Sequence, residues 1–140
     1  MTAVRDLDDV DYARLLEFRD GLRRFLRWSE EQAKEVGLTS PQHQLLLSIR
    51  GHGGDPSIRE VAEHLLVRHH SAVELVDRAA AAGLVRRMAD AGDQRVVRLQ
   101  LTKEGESKLR QLSASHLEEL SRLRPQFESL WDRLPESPGA

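Results

Sequence analysis

A chain of 140 residues and 15.9 kDa, 39% hydrophobic and 31% charged, has the makeup of one soluble globular domain able to bury a core without staples. It holds no cysteine, which excludes disulfides, a thiol nucleophile and a thiolate metal centre. The net charge of −2 suggests no polyanionic partner, but its distribution is uneven: residues 50–110 carry 11 basic and 9 acidic groups, against 7 and 9 before them and 3 and 5 after. The opening MTAVRDLDDVDYA lacks a basic stretch followed by an apolar run, so neither secretion nor membrane spanning is expected, and a cytoplasmic protein is.

From Asp11 to Val36 the apolar positions Leu15, Phe18, Leu22, Phe25, Leu26, Ala33 and Val36 fall mostly three or four apart, which predicts one amphipathic helix stopped by Gly37. Such a helix is roughly 39 Å long, so part of its apolar stripe needs a cover beyond a local core. Thr39 with Gln42 reads as a capping box for a second helix over about Ser40–Arg50. Ser57 with Glu60 opens a third near Ile58–Leu65, and a fourth runs over about His69–Ala82 to a stop at Gly83.

Leu84–Met88 and Arg95–Leu101 have strand character, with the turn residues Asp90-Ala91-Gly92-Asp93 between them. Thr102 is the expected N-cap of a last long helix carrying Leu109, Leu112, Leu117, Leu120 and Leu123. Pro125 is expected to break or kink it, leaving a short terminal helix with Phe127, Leu130, Trp131 and Leu134 and a frayed tail from Pro135 to Ala140. The fold class is therefore mainly α with a small β-hairpin. A ribbon directly after a helix-turn-helix makes a winged helix-turn-helix.

Ile58, Val61, Ala62 and Leu65 are spaced to pack on Ala72, Leu75, Val76 and Ala79. That packing turns His70, Ser71, Glu74, Asp77 and Arg78 outward, as on a helix that enters the major groove with its N-terminal residues at the base edges. Arg68 and His69 stand at the start of that helix, where a phosphate binds. At the hairpin, Arg95 beside Asp93, flanked by Arg86, Arg87 and Arg98, suits a narrow minor groove. Asp93 and Arg95 are also placed to pair across the turn.

Ile58-Arg59-Glu60-Val61-Ala62-Glu63-His64-Leu65, Ser71 to Val76, Asp77-Arg78, Gly83-Leu84-Val85, the wing Asp90-x-x-Asp93-x-Arg95 and Leu101-Thr102-x-x-Gly105 together resemble the MarR family of bacterial regulators. The resemblance implies a homodimer bound to double-stranded DNA at a pseudo-palindromic operator, most simply a ligand-responsive repressor. It implies a single MarR-type domain over 1–140, with a reading lobe over about 39–101 and dimerisation helices over 8–37 and 102–134. An effector cleft implied by the resemblance would take Phe25, Trp28, His43 and His116 as lining, for a small aromatic or anionic ligand. Leu66, Arg68 and His69 depart from the small residue, the Ser or Thr cap and the Pro usual there; Glu74 stands where a basic or neutral polar residue is common, and Gln94 replaces a frequent wing arginine.

No metal or other cofactor is expected. His69 and His70 point about a hundred degrees apart on a helix, and no histidine or carboxylate set has ligand spacing. Catalysis is not expected either: Gly51-His52-Gly53-Gly54 lacks the lysine of a phosphate loop, and no local signature arranges a triad. A winged-helix module that binds only proteins is the alternative. A cationic stripe from Arg68 through Arg78 to Arg95 would favour DNA, and an apolar face there would favour a protein partner.

Overall fold

The structure, a computed structural model, describes residues 6–134 and 136. Five helices and one hairpin follow in order: α1 (Asp9–Glu35), α2 (Ser40–Gly51), α3 (Ile58–Leu65), α4 (His69–Ala81), β1 (Val85–Ala89), β2 (Val97–Leu101) and α5 (Lys103–Asp132). They form two compact units, one from the described residues of Met1–Ser29 and Ser115–Ala140, the other from Glu30–Ala114.

In the first unit α1 begins two residues earlier than its apolar stripe. Asp8 Oδ1 accepts from the Asp11 N–H at 2.9 Å, and Asp11 Oδ2 accepts from the Asp8 N–H at 3.2 Å. This reciprocal cap uses aspartate where the usual box uses serine and glutamate. Phe18 meets Phe127 edge-on at 6.4 Å and Trp131 at 5.6 Å between ring centres. Gly21 faces Phe127 and Leu130, each 3.5 Å from where a Cβ would stand, an ordinary van der Waals distance.

That packing corrects the expected break at Pro125, which lies inside a continuous α5. A proline removes one backbone donor and crowds the preceding turn, but Phe127 and Leu130 beyond it are held against α1. There is no separate terminal helix over Phe127–Leu134, and most of the expected frayed tail, residue 135 and residues 137–140, lies outside the described residues.

The second unit is built on a core of Leu38, Leu45, Leu46, Ile49, Val61, Val76, Ala79, Leu84, Val85, Leu99, Leu109 and Leu112. The Thr39 box is formed as read, with Gln42 N–H to Thr39 Oγ1 at 3.2 Å and Thr39 N–H to Gln42 Oε1 at 3.0 Å. β1 and β2 pair antiparallel from Val85 opposite Leu101 to Ala89 opposite Val97. The hairpin does not stand alone: the Leu99 N–H bonds the Pro56 carbonyl at 2.9 Å, and Ser57 bridges to Arg98. The second strand starts two residues later than the sequence suggests, because the Val96 N–H closes a turn on the Asp93 carbonyl at 3.0 Å.

Between α3 and α4 the chain reverses through Leu66, with φ 56 and ψ 41. The Val67 N–H returns to the Ala62 carbonyl at 3.1 Å. A left-handed conformation costs a residue with a Cβ about 1–2 kcal/mol, and Leu66 is 91% exposed, so it recovers little by burial. Leu66→Gly is expected to raise stability by about 0.5–1 kcal/mol, read as a higher urea midpoint at unchanged slope. A lower midpoint would show that the leucine side chain contributes more than its backbone costs.

Candidate nucleic-acid interface

The second unit carries every residue expected to face DNA. On α4, Ala72, Val76 and Ala79 are buried, while His69, His70, Glu74, Asp77 and Arg78 are exposed and Ser71 is half-buried. The division follows the helical period: the core takes one stripe, and polar groups keep the other. Arg68 occupies the N-cap without a side-chain cap bond, so no side chain of the cap satisfies the helix's first backbone donors.

The wing is organised by two carboxylates. Asp90 Oδ2 accepts from the Gly92 and Asp93 N–H groups at 2.9 and 3.0 Å, an aspartate turn that sets the loop. Asp93 Oδ1 accepts from the Arg95 N–H at 3.0 Å, and its two oxygens hold the Arg95 guanidinium at 3.1 and 3.2 Å. Arg95, 91% exposed in its side chain, is thus parked at the tip in a pair that water screens strongly. Arg86 donates to Gln100 Oε1 at 2.8 Å across the hairpin, and Arg87 pairs with Asp77 of α4, joining wing and helix.

Arg98, which the sequence offered only as a flanking cation, is a clamp. Its Nε donates to Asp90 Oδ1 at 2.9 Å, and its Nη1 donates to Glu60 Oε1 at 3.0 Å and to the Asp55 carbonyl at 3.5 Å. Glu60 also receives the Ser57 hydroxyl at 3.2 Å, while its backbone N–H bonds Ser57 Oγ at 3.2 Å. The expected Ser57 box is therefore realised on one side, with the carboxylate turned to Arg98 and His52.

The Arg98 hydrogen bond, then the two loop N–H groups, hold the Asp90 carboxyl below its usual range. For Glu60, burial pushes upward, but Ser57, the His52 charge and Arg98 together outweigh it and the carboxyl is lowered. The Arg95 guanidinium and N–H lower Asp93. A carboxyl with a depressed folded pKa contributes stability that is complete above its unfolded pKa and disappears as pH falls through the folded one. The urea midpoint is therefore expected to fall below about pH 4. Asp90→Asn keeps an oxygen for the turn but loses the charge; its deficit against the wild type at pH 7 should narrow toward pH 2.5. A deficit constant with pH would acquit the carboxylate.

The expected effector residues divide between the units. In the first, Phe25 and Trp28 stack at 5.9 Å and His116 lies 4.8 Å from the Trp28 ring, with Ser29 Oγ 2.6 Å from His116 Nε2. Phe25 and Trp28 line a cavity of about 240 Å³ with Arg24, Arg122 and Leu123. His43 belongs to the second unit, buried on α2.

Residues 36–96 match the family model described as MarR family. Over this segment the chain is similar to the MarR family. The fold recurs in solved structures: RV1404 of Mycobacterium tuberculosis is 25% identical with a TM-score of 0.68, covering 90% of this chain and 85% of that one. AbsC, a MarR family transcriptional regulator of Streptomyces coelicolor, is 21% identical with a TM-score of 0.72, covering 85% and 81%. A mutant MepR of Staphylococcus aureus bound to an oligodeoxyribonucleotide is 20% identical with a TM-score of 0.67, covering 82% and 83%. No curated protein matches the sequence. The fold is the winged helix seen in solved MarR family structures, and among the described residues no helix is long and apolar enough to cross a membrane.

Proposed function

We propose that the chain is a cytoplasmic, homodimeric transcription regulator that binds a pseudo-palindromic operator, most simply as a repressor released by a small-molecule effector. The observation that carries this reading is α4, apolar toward its own lobe and polar outward, next to a wing that ends in an exposed arginine. Arg68 and His69 meet phosphates at the head of α4; His70, Ser71, Glu74 and Arg78 face base edges. Arg86 and Arg87 flank the backbone, and Arg95, oriented by Asp93, enters the minor groove. The lobe spans about 39–101, and 8–37 with 102–134 supply the dimer helices.

The MepR complex with DNA supports the partner. The dimer is supported by apolar side chains left exposed in the first unit, among them Tyr12, Leu16, Leu26, Leu117 and Trp131, a set that a single chain would show to water at a cost. The cavity lined by Phe25, Trp28, Arg24 and Arg122 suits a small aromatic or anionic effector, which acts by preferring one spacing of the two lobes over another. No chemical step is assigned to the protein.

Selection of genomic fragments by the purified chain, followed by sequencing, tests the reading. The expected product is an inverted repeat with half-sites about 10–10.5 base pairs, or a multiple, from centre to centre, bound by a dimer. A monomer in solution, or recovered fragments without a common repeat, would overturn it.

A further inference from the structure

The turn after α2 and the end of α3 bring together two histidines that the DNA-facing surface does not use. His52 Nδ1 lies 3.0 Å from His64 Nε2, the rings meeting edge-on at 81° with centres 5.3 Å apart. On its other side the His52 Nε2 is held by Glu60 Oε2, whose second oxygen is fixed by Arg98 at 3.0 Å. In the neutral tautomer that donates its Nε2–H to this carboxylate, His52 carries its lone pair on Nδ1, the nitrogen that faces His64. That is the outer-shell arrangement that orients a metal-binding imidazole and raises its basicity.

Two imidazole nitrogens bound at about 2.0–2.1 Å to a tetrahedral ion stand about 3.3 Å apart, a few tenths of an ångström wider than the gap here. His52 and His64 border a cavity of about 310 Å³ that also reaches Gln44 and Ser48, space for water to complete a coordination sphere. Among the described residues no group of three histidine or carboxylate side chains is placed to hold an ion, so protein supplies two positions and solvent the rest. We propose that His52 and His64 form an exchangeable site for a divalent transition-metal ion of the zinc and copper class, oriented by Glu60. An ion there ties the turn after α2 to the end of α3, two residues before the left-handed Leu66. The site is independent of whether the chain binds DNA.

The test is calorimetric titration of the tag-free, chelator-treated full chain with zinc chloride, with ring ¹⁵N spectra recorded in parallel. One ion per chain is expected, shifting the His52 and His64 ring nitrogens. His52→Ala and His64→Ala should each weaken binding at least 10-fold, and Glu60→Gln about 10- to 100-fold, with circular dichroism unchanged. Zinc should raise the thermal midpoint of the wild type and not of His64→Ala. Absence of binding, shifts confined to other histidines, or alanine variants that bind like the wild type would overturn the proposal and leave the contact as a plain hydrogen bond.

Discussion

Arg95→Ala is expected to lower operator affinity about 10- to 100-fold at low salt and to reduce the slope of log affinity against log salt by about 2 for a dimer, one for each wing. The guanidinium is exposed and, among the described residues, held by Asp93, so release costs little, and a narrow groove offers it a stronger field. Arg95→Lys separates the two contributions: the charge remains, so the slope should recover, while the planar fork is lost, so affinity should recover only in part. Filter binding or fluorescence anisotropy at several salt concentrations reads both. Unchanged affinity and slope in Arg95→Ala would remove the wing tip from the interface.

Gly105→Ala is expected to damage the lobe itself. A Cβ at Gly105 would lie 2.2 Å from the Leu84 carbonyl oxygen and 3.1 Å from its carbon. Neither atom can swing aside, because the same carbonyl accepts the Thr102 N–H at 3.0 Å, and Thr102 Oγ1 donates to the Gly83 carbonyl at 2.6 Å while accepting the Gly105 N–H at 3.1 Å. Overpacking against fixed backbone costs about 2–3 kcal/mol or more, roughly 10 °C in midpoint for a chain of this length. Calorimetry checks it; a shift under a few degrees would mean that the entry to α5 yields.

What the sequence made legible was local. Helical periodicity, the Thr39 and Ser57 caps, and Thr102 all act within four residues, so each could be read without knowing the fold. Pro125 misled because its local preference yields to Phe127 and Leu130 packing on α1, contacts more than a hundred residues distant along the chain. The wing's outward face was legible as a run of arginines, but their roles were not. Arg98 meets partners 38 and 43 residues away, and Arg87 an aspartate ten residues back. Nothing in a charge's identity tells a clamp from a free cation. His52 and His64, twelve residues apart across a turn, were hidden for the same reason.

The inward use of arginines changes how the molecule would behave on a chromosome. Arg87 and Arg98 are engaged within the lobe, so the surplus of 11 basic over 9 acidic groups in residues 50–110 overstates the pull on a random duplex. Counterion release scales with the phosphates neutralised. A protein with few spare cations would linger briefly at wrong addresses, search mostly by hopping through solution, and depend on the right half-sites to draw its arginines out.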